Sequence, residues 1–332
     1  MRSRFTRLVV LVAGIAVATS ACGRYSISSI RSLKAFKDAN EFYARSEYKG
    51  AIPLYEKSIL HNPDFGYTYF FLGNSYDNLY KPSHKGEPEN DAYLPKAVEN
   101  YRKAIDKLQG QPGEQAAQYR KLSYEYLIAA YGSDKLNDFE KAEPIARELI
   151  ATVPNEPGNY QALGKLYEDQ GRYDEAEASF IKAIEVKPSD PLGYQILAGY
   201  YNRQGEFEKT IDAFQKRANM EPNNPEAWHT MGSFYFDKVS RDKALDKKVG
   251  LSYTMKGLEA EDKALALNAE YFEALSFKNL LLRAQANFEK DPARQKALIA
   301  EADQLREKAI ALQAKQNASA AAADAAKKAG GK

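Results

Sequence analysis

The residues able to do covalent or metal chemistry are few: three histidines, His61, His84 and His229, and one cysteine, Cys22, in 332 residues. None of the histidines stands in an HExxH, in a four-residue helical pair or beside a cysteine, the spacings that converge ligands on a zinc ion. His61 near a helix end and His84 in a polar loop read as ordinary surface placements. Cys22 has no base at a fixed spacing to activate it, and no Gly-x-Ser-x-Gly, phosphate loop or dinucleotide fingerprint occurs. No catalytic residue, metal or cofactor is therefore expected. The chain is instead rich in tyrosine, with 23, which could stack on sugars or bases. Most of these, including Tyr76, Tyr101, Tyr131, Tyr160, Tyr167, Tyr194, Tyr201 and Tyr235, fall at helical packing offsets and read as core. The run Tyr67-Thr68-Tyr69-Phe70-Phe71 differs, because five successive helical residues point all round, so Tyr67 and Phe70 are expected on an exposed face.

The elements that position these residues repeat. Pro154/Pro157, Pro188/Pro191 and Pro222/Pro225 recur at a spacing of 34 residues. After the second proline of each pair come an aromatic (Tyr160, Tyr194, Trp228), then Leu163, Leu197 or Met231, then a small residue (Gly164, Ala198, Gly232), then Tyr167, Tyr201 or Tyr235. Offsets of three and four put these on one helical stripe, where the small residue lets a second helix come close. Proline suits the first helical position, Asp190 and Asn224 are good caps and Glu156 a poorer one. Gly171 and Gly205 end the first helices. A second helix follows, presenting Ala176, Phe180 and Ala183 in one unit and Thr210, Phe214 and Arg217 in the next.

The pattern Tyr160-x-x-Leu163-Gly164-x-x-Tyr167, Ala176-x-x-x-Phe180, Pro188 resembles the tetratricopeptide repeat. The resemblance continues on both sides: Ala39-x-x-Phe42, Ala51-x-x-x-Tyr55 and Pro63 make one unit, and Leu72-Gly73-x-x-Tyr76 with Ala97-x-x-x-Tyr101 another. Tyr124 to Pro154 makes a third, with Ala146 where the family usually has phenylalanine. A last, degenerate pair is read near Tyr271 to Phe288 and Ala293 to Leu312. It implies an all-α fold: a right-handed superhelix of about seven helix-turn-helix units over residues 32–312, with insertions near 79–92 and 237–250.

In this family the first helices line an inner groove that binds protein segments. Carried onto this sequence, that gives Phe36, Asn40, Phe70, Asn74, Asp77, Gln161, Lys165, Glu168, Gln195, Asn202, His229, Ser233 and Phe236, a mixture suited to an extended peptide. Asn40 and Asn74 are similar to the asparagines of the chaperone-tail carboxylate clamp, but the companion lysines are missing and Phe36 stands in place of one, which argues against that ligand.

The ends differ from the array. Arg2, Arg4 and Arg7 precede an apolar run from Leu8 to Ala18, the layout of a secretory leader over 1–21. Thr19-Ser20-Ala21-Cys22 resembles a lipoprotein junction whose cysteine becomes acylated, with threonine where leucine is usual. Residues 22–31 read as a linker, and 313–332 as an Ala/Lys-rich disordered tail. Of 47 basic residues the leader holds three, which leaves 44 against 45 acidic ones, a net of −1. No concentrated basic face for nucleic acid is visible. The reading is of an exported, lipid-anchored scaffold that binds protein, on the periplasmic side of a bacterial envelope, held to the membrane at Cys22. An assembly factor of an envelope machine, such as a pilotin-like protein or an outer-membrane complex component, or a non-catalytic regulatory subunit of an enzyme system, stands as the alternative.

Overall fold

The computed structural model describes residues 26–330. The expected leader and Cys22 lie outside the described residues. Within them the chain is helical and contains no strand. Where the sequence reads as one continuous array, the helices divide into two compact units, with the boundary between Ser179 and Phe180.

The first unit contains α1 (Ile27–Ala44), α2 (Tyr48–His61), α3 (Gly66–Leu79), the one-turn α4 (Pro88–Asp91), α5 (Tyr93–Leu108), α6 (Glu114–Ala130), α7 (Phe139–Thr152), α8 (Pro157–Asp169) and the start of α9 (Tyr173–Val186). The second contains the rest of α9, then α10 (Pro191–Arg203), α11 (Phe207–Met220), α12 (Pro225–Arg241), α13 (Lys247–Leu267), α14 (Phe272–Phe288) and α15 (Pro292–Gly330). The long helices from α1 to α8 pack each on the next, as do those from α10 to α15, and the first helices of neighbouring pairs also meet, α3 on α6 and α12 on α14.

The local signals act as the sequence suggests. Asp190 and Asn224 each accept a hydrogen bond from the backbone N–H two residues on, whereas Glu156 makes no such cap. Pro157, Pro191 and Pro225 open their helices, where a missing N–H leaves nothing unsatisfied. Gly171 and Gly205 adopt φ of 71° and 77°, a left-handed conformation that glycine reaches without strain. Behind them Ala176, Phe180, Thr210 and Phe214 are buried.

Four boundaries differ from expectation. Residues 27–31, read as linker, are the first turns of α1, capped by Ser26, whose hydroxyl accepts from Ser29 N. The insertion near 79–92 is a 3-10 turn at Pro82–His84 followed by α4. The one near 237–250 lies partly in helix: α12 runs on to Arg241, and α13 starts at Lys247 behind the Asp246 cap. The tail from 313, expected to be disordered, continues α15 to Gly330, although residues 313–319 are exposed. Alanine gives up little entropy in a helix, which favours this extension of α15.

Candidate functional site

In the first unit the first helices of three successive pairs meet along a row of aromatic rings. Tyr43 of α1 meets Phe71 of α3 edge-on at 5.2 Å, Phe71 lies 5.4 Å from Tyr119 of α6, and Tyr119 meets Tyr67 edge-on at 5.4 Å. Two turns along α6, Tyr126 stacks on Tyr101 at 5.7 Å. Tyr43, Tyr67, Phe71, Tyr119 and Tyr126 are all half-buried. Each packs on one side and offers an edge to water on the other, the arrangement that lets an aromatic anchor a partner with little ordering penalty.

Several residues expected in the groove lie beneath this row instead. Phe36 is buried against Phe65, Phe71 and Tyr55, with centroids at 5.0, 5.6 and 5.8 Å. Phe70 is 1% exposed and packs on Tyr119 and Tyr126. Asn74 and Asp77 are buried too. The cause is the enclosure of α3: α2, α5 and α6 all pack on it, and 10 of its 14 residues are buried. A helix with neighbours on three sides has almost no free face, so Phe70 points inward while Tyr67 reaches the surface.

The polar groups of α3 are committed to one another. Tyr43 donates its hydroxyl proton to Asn74 Oδ1 at 2.6 Å, an oxygen that also accepts from Asn78 Nδ2 at 2.8 Å. Asn74 Nδ2 donates to Tyr101 Oη, and Tyr101 donates to Asp77 Oδ2, at 3.4 and 3.3 Å. Asp77 Oδ1 is paired with Lys135 Nζ at 2.5 Å. Half-buried Asn40 accepts from Tyr55 at 2.7 Å. Burial pushes the phenols of Tyr43, Tyr55 and Tyr101 above their ordinary range, so they stay protonated donors. Asn74 and Asp77 are therefore held within the interior network, and half-buried Asn40 is bonded to Tyr55.

The remaining expected residues separate. Gln161 is half-buried, and exposed Lys165 pairs with Asp169 at 2.5 Å and with buried Glu168 at 3.5 Å. In the second unit Gln195 and Asn202 are exposed. Asn202 lines a cleft of about 470 Å³ with Phe207, Phe234, Lys238 and Arg241. Ser233 is half-buried and donates to the carbonyl of Thr230, and Phe236 is half-buried edge-on to Phe277 at 5.7 Å.

His229 is turned towards the second helix of its pair. Its Nδ1 sits 3.0 Å from both carboxylate oxygens of Glu261 on α13, whose side chain is wholly buried. Tyr271 and Phe277 close over the imidazole edge-on at 5.2 and 5.1 Å. Gly232 makes room for the carboxylate: a Cβ there would lie 2.3 Å from Glu261 Oε1. Burial raises the Glu261 carboxyl to about 7, opposed by its hydrogen bond from His229. Sequence reasoning missed Glu261, although a signal existed. Gly257-x-x-x-Glu261 occupies the offset held by Ala51-x-x-x-Tyr55, Ala97-x-x-x-Tyr101 and Ala176-x-x-x-Phe180, so a carboxylate stands where other pairs place a ring.

With this geometry in view, residues 157–190 match the tetratricopeptide repeat family, and the chain has the tetratricopeptide repeat fold, an architecture of stacked helix pairs. Among solved structures it is similar to the C-terminal part of a tetratricopeptide repeat-containing protein from Cytophaga hutchinsonii, at 18% identity, with 83% of this chain and 98% of that one covered and a TM-score of 0.53. It is also similar to MamA from Desulfovibrio magneticus (14% identity, 58% and 96% covered, TM-score 0.41) and to YrrB, described as having an unusual peptide-binding site (16% identity, 60% and 91% covered, TM-score 0.38). No curated protein matches the sequence.

Proposed function

We propose that the chain is a non-catalytic scaffold, exported and lipid-anchored at Cys22, that binds an extended segment of a partner protein along the aromatic row of its first unit. The observation that carries the binding face is the run of half-exposed rings from Tyr43 through Phe71 and Tyr119 to Tyr67, drawn from three different helices. Rigid aromatic edges in a row suit a peptide, whose side chains dock between rings while its backbone stays solvated. Export and anchoring are supported by the leader-like residues 1–21 and the lone cysteine that follows them.

Capture of envelope proteins by a photo-crosslinker placed at Tyr67 or Tyr119 should give one discrete adduct, absent when the crosslinker is placed at exposed Lys103 on α5. Tyr67→Ala with Tyr119→Ala should reduce capture more than tenfold with the helical circular dichroism retained, because truncating an aromatic anchor removes about 2 kcal/mol or more. Capture that survives the double variant but disappears when residues 81–88 are deleted would move the site to the inserted turn. Fatty-acid labelling lost in Cys22→Ser checks the anchor separately.

A further inference from the structure

The first helix pair leaves apolar side chains in water at one end. Ile27, Ile30 and Leu33 of α1 keep 69%, 56% and 40% of their surface exposed, and Leu60 near the end of α2 keeps 79%. Single exposed apolar residues are ordinary, but four on one end of one helix pair form a patch. The Ser28 hydroxyl donates to the carbonyl of His61, which brings the start of α1 against the end of α2.

Basic side chains share this surface. At 100° per residue, Leu33, Lys37, Ile30, Lys34, Ile27 and Arg31 all fall on the exposed arc of α1, into which Glu41 and Asp38 also project, opposite the buried stripe of Ser32, Ala35, Phe36 and Ala39. Arg31, Lys34, Lys57 and His61 line a cleft of about 430 Å³ between the two helices, with Asp38 as its acidic member. Among the described residues Arg31, Lys34, Lys37 and Lys57 make no ion pair. Glu41 lies further along α1, away from the apolar end. Alternating apolar and unpaired cationic groups on a helix face fit an interface where acyl chains meet anionic headgroups.

We propose that this end of the first helix pair docks on an anionic phospholipid surface, Ile27, Ile30, Leu33 and Leu60 entering the boundary of the acyl region while Arg31, Lys34 and Lys57 meet lipid phosphates. The proposal rests on the membrane-anchored reading above. Ile27 is the fifth residue after Cys22, a reach of at most about 18 Å, so an acyl group on Cys22 holds the patch close to the bilayer and leaves the aromatic row of α1, α3 and α6 to the partner.

The test uses the full chain carrying Cys22→Ser, so that no acyl group contributes, with an environment-sensitive fluorophore on Ile30→Cys. Vesicles of phosphatidylglycerol and phosphatidylethanolamine should shift its emission to the blue, vesicles of phosphatidylcholine alone should not, and the same fluorophore on Ile310→Cys in α15 should not respond to either. Arg31→Gln with Lys34→Gln and Lys57→Gln should raise the lipid concentration for half-maximal response at least tenfold. A label at position 30 that stays in water on anionic vesicles overturns the proposal. An equal response in the triple variant overturns it as well, since the apolar leader would then carry the attachment. A blue shift without vesicles that grows with protein concentration assigns the patch to a second copy, and one independent of concentration assigns it to residues 1–25. Failure of the anchor at Cys22 is read independently, from fatty-acid labelling of the wild-type chain.

Discussion

Two helix pairs built on one repeat pattern bury opposite kinds of chemistry. In α3 and α5, Gly73 faces Tyr101, and a Cβ on the glycine would lie 3.0 Å from the ring. In α12 and α13, Gly232 faces Glu261, and a Cβ would lie 2.3 Å from the carboxylate. The small residue performs the same task in both, admitting one large group from the second helix. In the first unit that group is a neutral phenol within a network of amides and rings. In the second it is an ionisable acid whose partner is His229. A repeat thus fixes where space is made, while the residue filling the space sets how the pair responds to its surroundings.

The largest expected effect breaks the first pair. Phe70→Ala removes a ring that is 1% exposed and should destabilise the chain by about 3–5 kcal/mol, read as a lowered thermal midpoint by circular dichroism. A stable Phe70→Ala chain that loses only partner binding would restore Phe70 to the surface. Next comes pH. Glu261 titrates at about 7 in the fold against an ordinary value of 4.5, so the folded state holds its proton in a range where the unfolded chain has released it. Its contribution is therefore fully present below about 4.5 and is lost as pH rises to about 7, by up to about 3 kcal/mol. Urea denaturation followed by Trp228, the single tryptophan, should show this loss in wild type relative to Glu261→Gln. The same pH slope in both chains would place Glu261 in water. The smallest effect sharpens the contrast: Gly232→Ala should destabilise by about 1–3 kcal/mol, because the new methyl meets a carboxylate fixed by His229, and Gly73→Ala should destabilise less, because its nearest contact is farther away. Equal losses would show that the two interfaces yield alike.

Much of the fold was legible because its signals are local. Proline at a helix start, the Asp190 and Asn224 caps, glycine at positive φ and the stripe of Leu163, Gly164 and Tyr167 each depend on neighbours within a few residues. The candidate site was less legible. Off the packing stripe, Phe36, Phe70, Asn74 and Asp77 resemble groove residues, yet α3 has helices on three sides and Phe70, Asn74 and Asp77 are interior, while Phe36 of α1 is buried among Tyr55, Phe65 and Phe71. Of the half-exposed row the sequence singled out Tyr67 alone: Tyr119 and Tyr126 belong to no repeat consensus, and their exposure depends on how α6 meets α3.

By itself the sequence determined that the chain folds as paired helices, where most of them start and stop, and which small residues lie at the close contacts, because capping, φ preference and helical periodicity act over a few residues. Only the tertiary structure decided which of the remaining side chains meet water. That depends on how many helices surround a given one, and no stretch of sequence encodes the number of its neighbours. It turned Phe70 inward, left Tyr67 and Tyr119 at the surface, and closed His229 over a carboxylate.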